Sequence, residues 1–199
     1  MTRLSEVRKT LAYYCTQPVV RLLAKTPVTP DAITWFGLLV AVGAAVLIST
    51  EHLFAAGFVV LVGGFFDIID GALARNTNRT SRFGAILDST LDRLAEAAVL
   101  IGILVLYARE QSVAGVLLVG VAWLGSLLVS YIRARAEALG LECEVGLFTR
   151  AERVVILALG LLLSQFDSVL MIALAVIAVF SFVTAGQRLL YVWQQTKTG

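Results

Sequence analysis

Apolar stretches of membrane length, broken by short polar turns, recur along this chain of 199 residues and leave it very few folds. The runs extend from Ile33 to Ser49, Leu53 to about Ala74, Ala97 to Leu106, Val113 to Ile132, Val154 to Leu163, and Val169 to about Ala185. A helical span takes about 20 apolar residues. Backbone polar groups in lipid must find partners inside the protein, which restricts spanning structures to helices and closed barrels. With 59% hydrophobic residues and a mean hydropathy of +0.88, the chain is expected to be an all-α integral membrane protein with six transmembrane helices. The third and fifth runs reach membrane length only if polar sequence is included, from Gly84 and from the Arg150 to Arg153 turn respectively. One domain is expected over residues 1–199, divided into a juxtamembrane helix, 1–28, and a six-helix bundle, 29–193.

Leu4, Val7, Leu11 and Tyr14 recur at helical spacing among Arg3, Arg8, Lys9, Arg21 and Lys25, which predicts an N-terminal interfacial amphipathic helix in contact with membrane lipids. This polar start lacks the short apolar core of a signal peptide. Under the six-span topology every Lys and Arg except Arg109 falls at the end that holds both termini. The positive-inside rule makes that end cytoplasmic. Cys15 and Cys143 lie there, where thiols stay reduced, so no disulfide is expected. The lone His52 falls at the opposite end and reads as an interfacial histidine.

Four aspartates interrupt the pattern. Asp67 and Asp70 are three apart and Asp88 and Asp92 four apart, which puts each pair on one face of a helix. A basic turn, Asn76 to Arg82, lies between them, so two antiparallel helices facing each other with converging carboxylates are expected. Ionisable groups at membrane depth need a partner. Divalent cations would relieve the mutual repulsion, and oxygen ligands without nearby His or Cys favour Mg²⁺ or Mn²⁺. Two such ions could be held between the pairs and neutralise a pyrophosphate. Arg133, Arg135, Arg150 and Arg153 form a second, basic group suited to phosphate. Arg93 and Glu96, three apart, are spaced for a local ion pair. Asp31, beside Pro30, is positioned to cap the first span. Gly57, Gly63 and Gly64 suggest close helix packing, and Gly140 a helix stop. A cation transporter with an intramembrane carboxylate site is an alternative of another class.

The spacing D-x2-D-G-x2-A-R-x8-G-x3-D-x3-D, filled by Asp67, Asp70, Gly71, Ala74, Arg75, Gly84, Asp88 and Asp92, resembles the signature of the CDP-alcohol phosphotransferases. The resemblance implies a membrane enzyme moving a substituted phosphoryl group from a CDP-linked lipid to an alcohol, with CMP released. It gives Asp67, Asp70 and Asp88 as metal ligands and Asp92 as general base at the same metal-bearing cluster. Gly71, Ala74, Arg75 and Gly84 would shape the nucleotide site. The tract Pro30-Asp31-x-Ile33-Thr34 resembles the family's first-helix segment near the nucleotide, with Asp31 where Asn is usual.

Downstream, Ser130 to Glu137, Gly146 and Arg150-x-Glu152-Arg153 are similar to prokaryotic phosphatidylinositol phosphate synthases. That similarity implies inositol phosphate as acceptor, held by Arg133, Arg150 and Arg153 with help from Arg135. It also implies a homodimer in a prokaryotic cell membrane, with CDP-diacylglycerol or a CDP-linked ether lipid as donor and no nucleic-acid partner. Arg133 stands where Lys is common and Ala151 where Pro is common. Phosphatidylglycerophosphate synthases share the aspartate signature, so glycerol 3-phosphate is the alternative acceptor.

Overall fold

The computed structural model describes residues 17–77 and 81–198, and every regular element among them is an α-helix. Helix α1 covers residues 17–23, α2 Pro30–Ser49, α3 Leu53–Asn76, α4 Arg82–Arg109, α5 Val113–Ala138, α6 Arg150–Leu162 and α7 Val169–Thr198. The greater part of the expected N-terminal amphipathic helix, including Cys15, lies outside the described residues.

Helices α2, α3, α5 and α7 are long and apolar enough to cross a membrane. Of the six expected spans, α4 and α6 diverge for the reason already visible in their composition. The first half of α4 carries Asp88, Asp92, Arg93 and Glu96, and α6 has only 13 residues. At about 1.5 Å rise per residue, α6 is roughly 20 Å long.

Local sequence fixes most helix ends. Thr29, not Asp31, caps α2, its hydroxyl accepting the Ala32 N–H at 3.3 Å with Pro30 in the first position. The short threonine side chain reaches the backbone from the extended cap residue, and Asp31 is left in the first helical turn. Ser81 accepts the Gly84 N–H at 2.8 Å to start α4. At α6, Thr149 and Glu152 form a capping box in which Glu152 Oε2 accepts the Thr149 N–H at 2.7 Å. Gly140, with φ of +75°, ends α5 as its position predicts.

The helices close into a ring in the order α2, α3, α6, α7, α5, α4 and back to α2. Its core is apolar, with Ile48, Leu100, Ile103, Leu161, Leu174 and Ile177 fully buried. Leu39, Val46, Phe54, Leu117 and Val179 face outward, as an apolar surrounding requires. A smaller cluster joins Val20 of α1 to Ile33 of α2 and to Ile69 and Leu73 of α3. The connections α2–α3, α4–α5 and α6–α7 are tight, each with one left-handed residue: Glu51, Gln111 and Ser168. The α3–α4 and α5–α6 links lie at the other end, with all four aspartates.

One close approach sets the α2–α4 distance. A Cβ on Gly102 would stand 2.7 Å from the Ala45 carbonyl oxygen and 2.8 Å from its Cα, both backbone atoms that cannot rotate away. Gly57 similarly admits Leu162 of α6, whereas Gly63 has ordinary space around it. Gly102→Val is therefore expected to cost about 1–3 kcal/mol through overpacking. Thermal melting in detergent checks this: the midpoint falls for Gly102→Val and holds for Gly120→Ala, whose Cβ would meet nothing within 4 Å.

Candidate active site

Helices α3 and α4 run antiparallel, as expected, but they make few direct contacts. Instead of two jaws meeting, they flank an open cleft of about 960 Å³ that reaches α5, α6 and α7. Asp67, Asp88 and Asp92 line one part of it, and Arg133, Arg150, Arg153 and Arg188 another. The sequence spacing gave the facing carboxylates; the packing put a basic wall across from them.

Arg150 joins the two walls. As the first residue of α6 it projects from the capped end, and its Nη1 lies 2.6 Å from Asp67 Oδ2 and 2.8 Å from Asp92 Oδ1. One guanidinium thus compensates carboxylates from both aspartate-bearing helices. The Asp92 contact is an ion pair without hydrogen-bond alignment, and Arg150 Nε is buried without a hydrogen-bond partner.

Asp70 sits deeper, at 3% exposure. Its Oδ1 accepts the Gly71 N–H at 2.6 Å, and the Thr34 hydroxyl lies beside the carboxylate. Asp70 Oδ2 is buried with no hydrogen-bond partner. Nearby, the Arg75 guanidinium folds back over Gly71, its Nη1 at ordinary contact distance, 3.4 Å, from where a Cβ would stand. A Cβ on Gly84 would stand 3.5 Å from Asp31 Oδ1, which brings the start of α4 against the start of α2. Asp31 and Thr34 at the start of α2 thus lie against Gly84 of α4 and Asp70 of α3, with Gly71, Ala74 and Arg75 following on the last turns of α3.

Among the described residues, no three carboxylates converge as a ready ligand group, and the Arg150 guanidinium already spans Asp67 and Asp92. The donor set still fits a hard divalent ion: it is all oxygen, and the orphaned Asp70 Oδ2 calls for a cationic partner.

The arginines divide. Arg133 pairs with Glu137 at 2.7 Å and is half exposed, while remaining on the cleft wall. Arg135 is exposed and does not line the cleft. Arg153 is buried at 2% exposure, forked onto Glu96 of α4. The expected local pair of Arg93 with Glu96 does not form, because Arg93 turns back one turn to the Ser89 carbonyl.

Arg188, just past the last apolar run, belongs to none of the sequence motifs and joins the site only through the fold. It is only 4% exposed, donating from Nε to Val145 O at 2.9 Å and from Nη1 to Val129 O at 2.5 Å. Gly146, at φ of +144°, makes this possible: a Cβ there would lie 2.8 Å from Thr184 Cγ2. The available signal was the apolar sequence on both sides of Arg188, which places it before the end of the hydrophobic pattern.

The profile of the CDP-alcohol phosphatidyltransferase family matches residues 27–184. Archaetidylinositol phosphate synthase of Methanothermobacter thermautotrophicus is 37% identical over 188 residues, covering 91% of this chain and 94% of that protein. Phosphatidylinositol phosphate synthase of Mycobacteroides abscessus is 41% identical over 180 residues, covering 87% and 81%. The crystal structure of Mycobacterium tuberculosis phosphatidylinositol phosphate synthase with CDP-DAG bound matches with a TM-score of 0.79 at 36% identity, over 89% of this chain and 93% of that one. The structure of that enzyme in complex with manganese and citrate matches with a TM-score of 0.78, at 36% identity and over 89% and 88%. This chain belongs to the CDP-alcohol phosphatidyltransferase family.

Proposed function

We propose that the protein transfers the lipid-bearing phosphoryl group of CDP-diacylglycerol, or of a CDP-linked ether lipid, to inositol phosphate, with release of CMP. The observation that carries this reading is the shared cleft, with carboxylates on the α3 and α4 side and arginines on the α5, α6 and α7 side. Acid and base walls across one space suit a reaction between a pyrophosphate donor and a phosphorylated alcohol. Relatives named as phosphatidylinositol and archaetidylinositol phosphate synthases support the same acceptor.

Asp67, Asp70, Asp88 and Asp92 would hold two divalent ions, Mg²⁺ or Mn²⁺. Bound there, these supply charge neutralisation for the pyrophosphate. Asp31, Thr34, Gly71, Ala74, Arg75 and Gly84 bind and orient the nucleotide end of the donor. Arg133, Arg150 and Arg153, joined by Arg188, draw the acceptor phosphate to the opposite wall. The acceptor hydroxyl then attacks the lipid-bearing phosphorus, a new oxygen–phosphorus bond forms, and the bond to CMP breaks. Asp92 takes the hydroxyl proton. Its position on the cleft wall, within 2.8 Å of Arg150, keeps the base between donor and acceptor sides.

In the same reading all six helices α2–α7 cross the membrane behind an interfacial N-terminal helix. The 13 residues of α6 already include its polar first turn, whose Arg150 and Arg153 line the cleft rather than face lipid. The site end is cytoplasmic, since Arg109 alone among the described Lys and Arg residues lies at the other end. By family resemblance the protein is a homodimer in a prokaryotic cell membrane.

Protein purified in detergent, given CDP-diacylglycerol and Mg²⁺, is expected to release CMP when inositol phosphate is supplied, and to do so weakly with glycerol 3-phosphate or free inositol. Preference for glycerol 3-phosphate would reassign the acceptor. Preference for a free alcohol would overturn the role of the arginine wall. In the same assay Asp92→Asn is expected to lower kcat by about two to four orders of magnitude, with binding of CDP-diacylglycerol retained. Turnover near that of the wild type would remove Asp92 as the base.

A further inference from the structure

Asp88, Asp92 and Glu96 recur at every fourth position and form one acidic stripe along α4. Helix α6 answers with Arg150 and Arg153, three apart on its own face. The result is a ladder of two rungs. Arg150 meets Asp92, and one turn deeper Arg153 meets Glu96.

The deeper rung is the better made. Arg153 Nε donates to Glu96 Oε1 at 2.7 Å and Nη2 to Oε2 at 3.0 Å, so two parallel bonds fix the plane of the guanidinium. Both glutamate oxygens are engaged, and the side chains are 2% and 11% exposed. One nitrogen is left over: Arg153 Nη1 is buried without a hydrogen-bond partner, on a residue that lines the cleft. A buried guanidinium is held in one orientation only where its counterion is held too, and here that counterion comes from a different helix.

We propose that Glu96 is a positioning residue for the acceptor. By gripping two nitrogens of Arg153 it fixes the register of α6 against α4 and reserves the remaining nitrogen for the phosphate of the incoming alcohol. The proposal rests on the reading that the arginine wall takes that phosphate. Without the glutamate, Arg153 has the Asp92 end of the same acidic stripe as its next counterion, and turning toward it would disturb both phosphate capture and the base.

The test compares Glu96→Gln, Glu96→Asp and the exchange Glu96→Arg with Arg153→Glu, measuring KM for inositol phosphate and for CDP-diacylglycerol together with melting in detergent. Glu96→Gln is expected to raise the acceptor KM about tenfold and leave the donor KM within about twofold. Glu96→Asp, which keeps the charge, recovers part of the loss. The exchange restores the melting temperature but not the acceptor KM, because the donor group now sits on the wrong helix. Recovery of stability and acceptor KM together in the exchange, or an unchanged acceptor KM in a folded Glu96→Gln, overturns the proposal. Should Glu96→Gln fail to fold, Glu96→Asp and the exchange decide it on the same criteria. Wild-type protein run alongside separates this from the reading beneath it. Use of glycerol 3-phosphate instead changes the acceptor and leaves the KM split on that acceptor as the test of Glu96. Service only to unphosphorylated alcohols removes the phosphate and the proposal with it.

Discussion

The arrangement depends on compensating negative charge inside an apolar ring of helices. Asp67 and Asp92 approach from α3 and α4, and the guanidinium of Arg150 lies within 2.8 Å of both. Carboxylates facing each other without a cation would force the helices apart or take up protons. Placing Arg150 at the first position of α6, behind the Thr149–Glu152 capping box, supplies that cation from a third helix and ties three helices together. The cleft exists because α3 and α4 are bridged rather than packed.

Everything that positions the bridge is concentrated at one end. The opposite connections need only one left-handed residue each, at Glu51, Gln111 and Ser168. At the site end, Arg188 holds the segment before α6 through the Val145 carbonyl, and Gly146 gives it the clearance to do so. Val20 of α1 packs on Ile33, Ile69 and Leu73, next to Asp70. Apolar contact thereby fixes α1, α2 and α3 beside Asp70, and charge across the cleft ties α3 and α4 to α6.

Much of this was legible in the sequence. The offsets of Asp67, Asp70, Gly71, Arg75, Gly84, Asp88 and Asp92 encode helical faces directly, and the helix ends at Pro30 and Gly140 follow from backbone chemistry. Partners far apart in sequence were not legible. Glu96 has Arg93 within helical reach, so spacing favours the wrong arginine; only the approach of α6 reveals Arg153. Asp31 likewise looked like the cap of α2, a role Thr29 fills, and its relation to Gly84 appears only when α2 and α4 pack. Arg188 belongs to no motif, and hydropathy reports depth, not the direction in which a side chain turns.

The proposal that the four aspartates take up a divalent cation in competition with Arg150 is tested most directly by titrating Mn²⁺ into the detergent-solubilised protein and following free Mn²⁺ by electron paramagnetic resonance. Wild-type protein is expected to take up Mn²⁺, Asp70→Asn and Asp88→Asn to lose most of that uptake, and Arg150→Gln to bind about tenfold more tightly because a competing positive charge is gone. Uptake that ignores both aspartate substitutions, or that weakens when Arg150 is neutralised, would contradict the account.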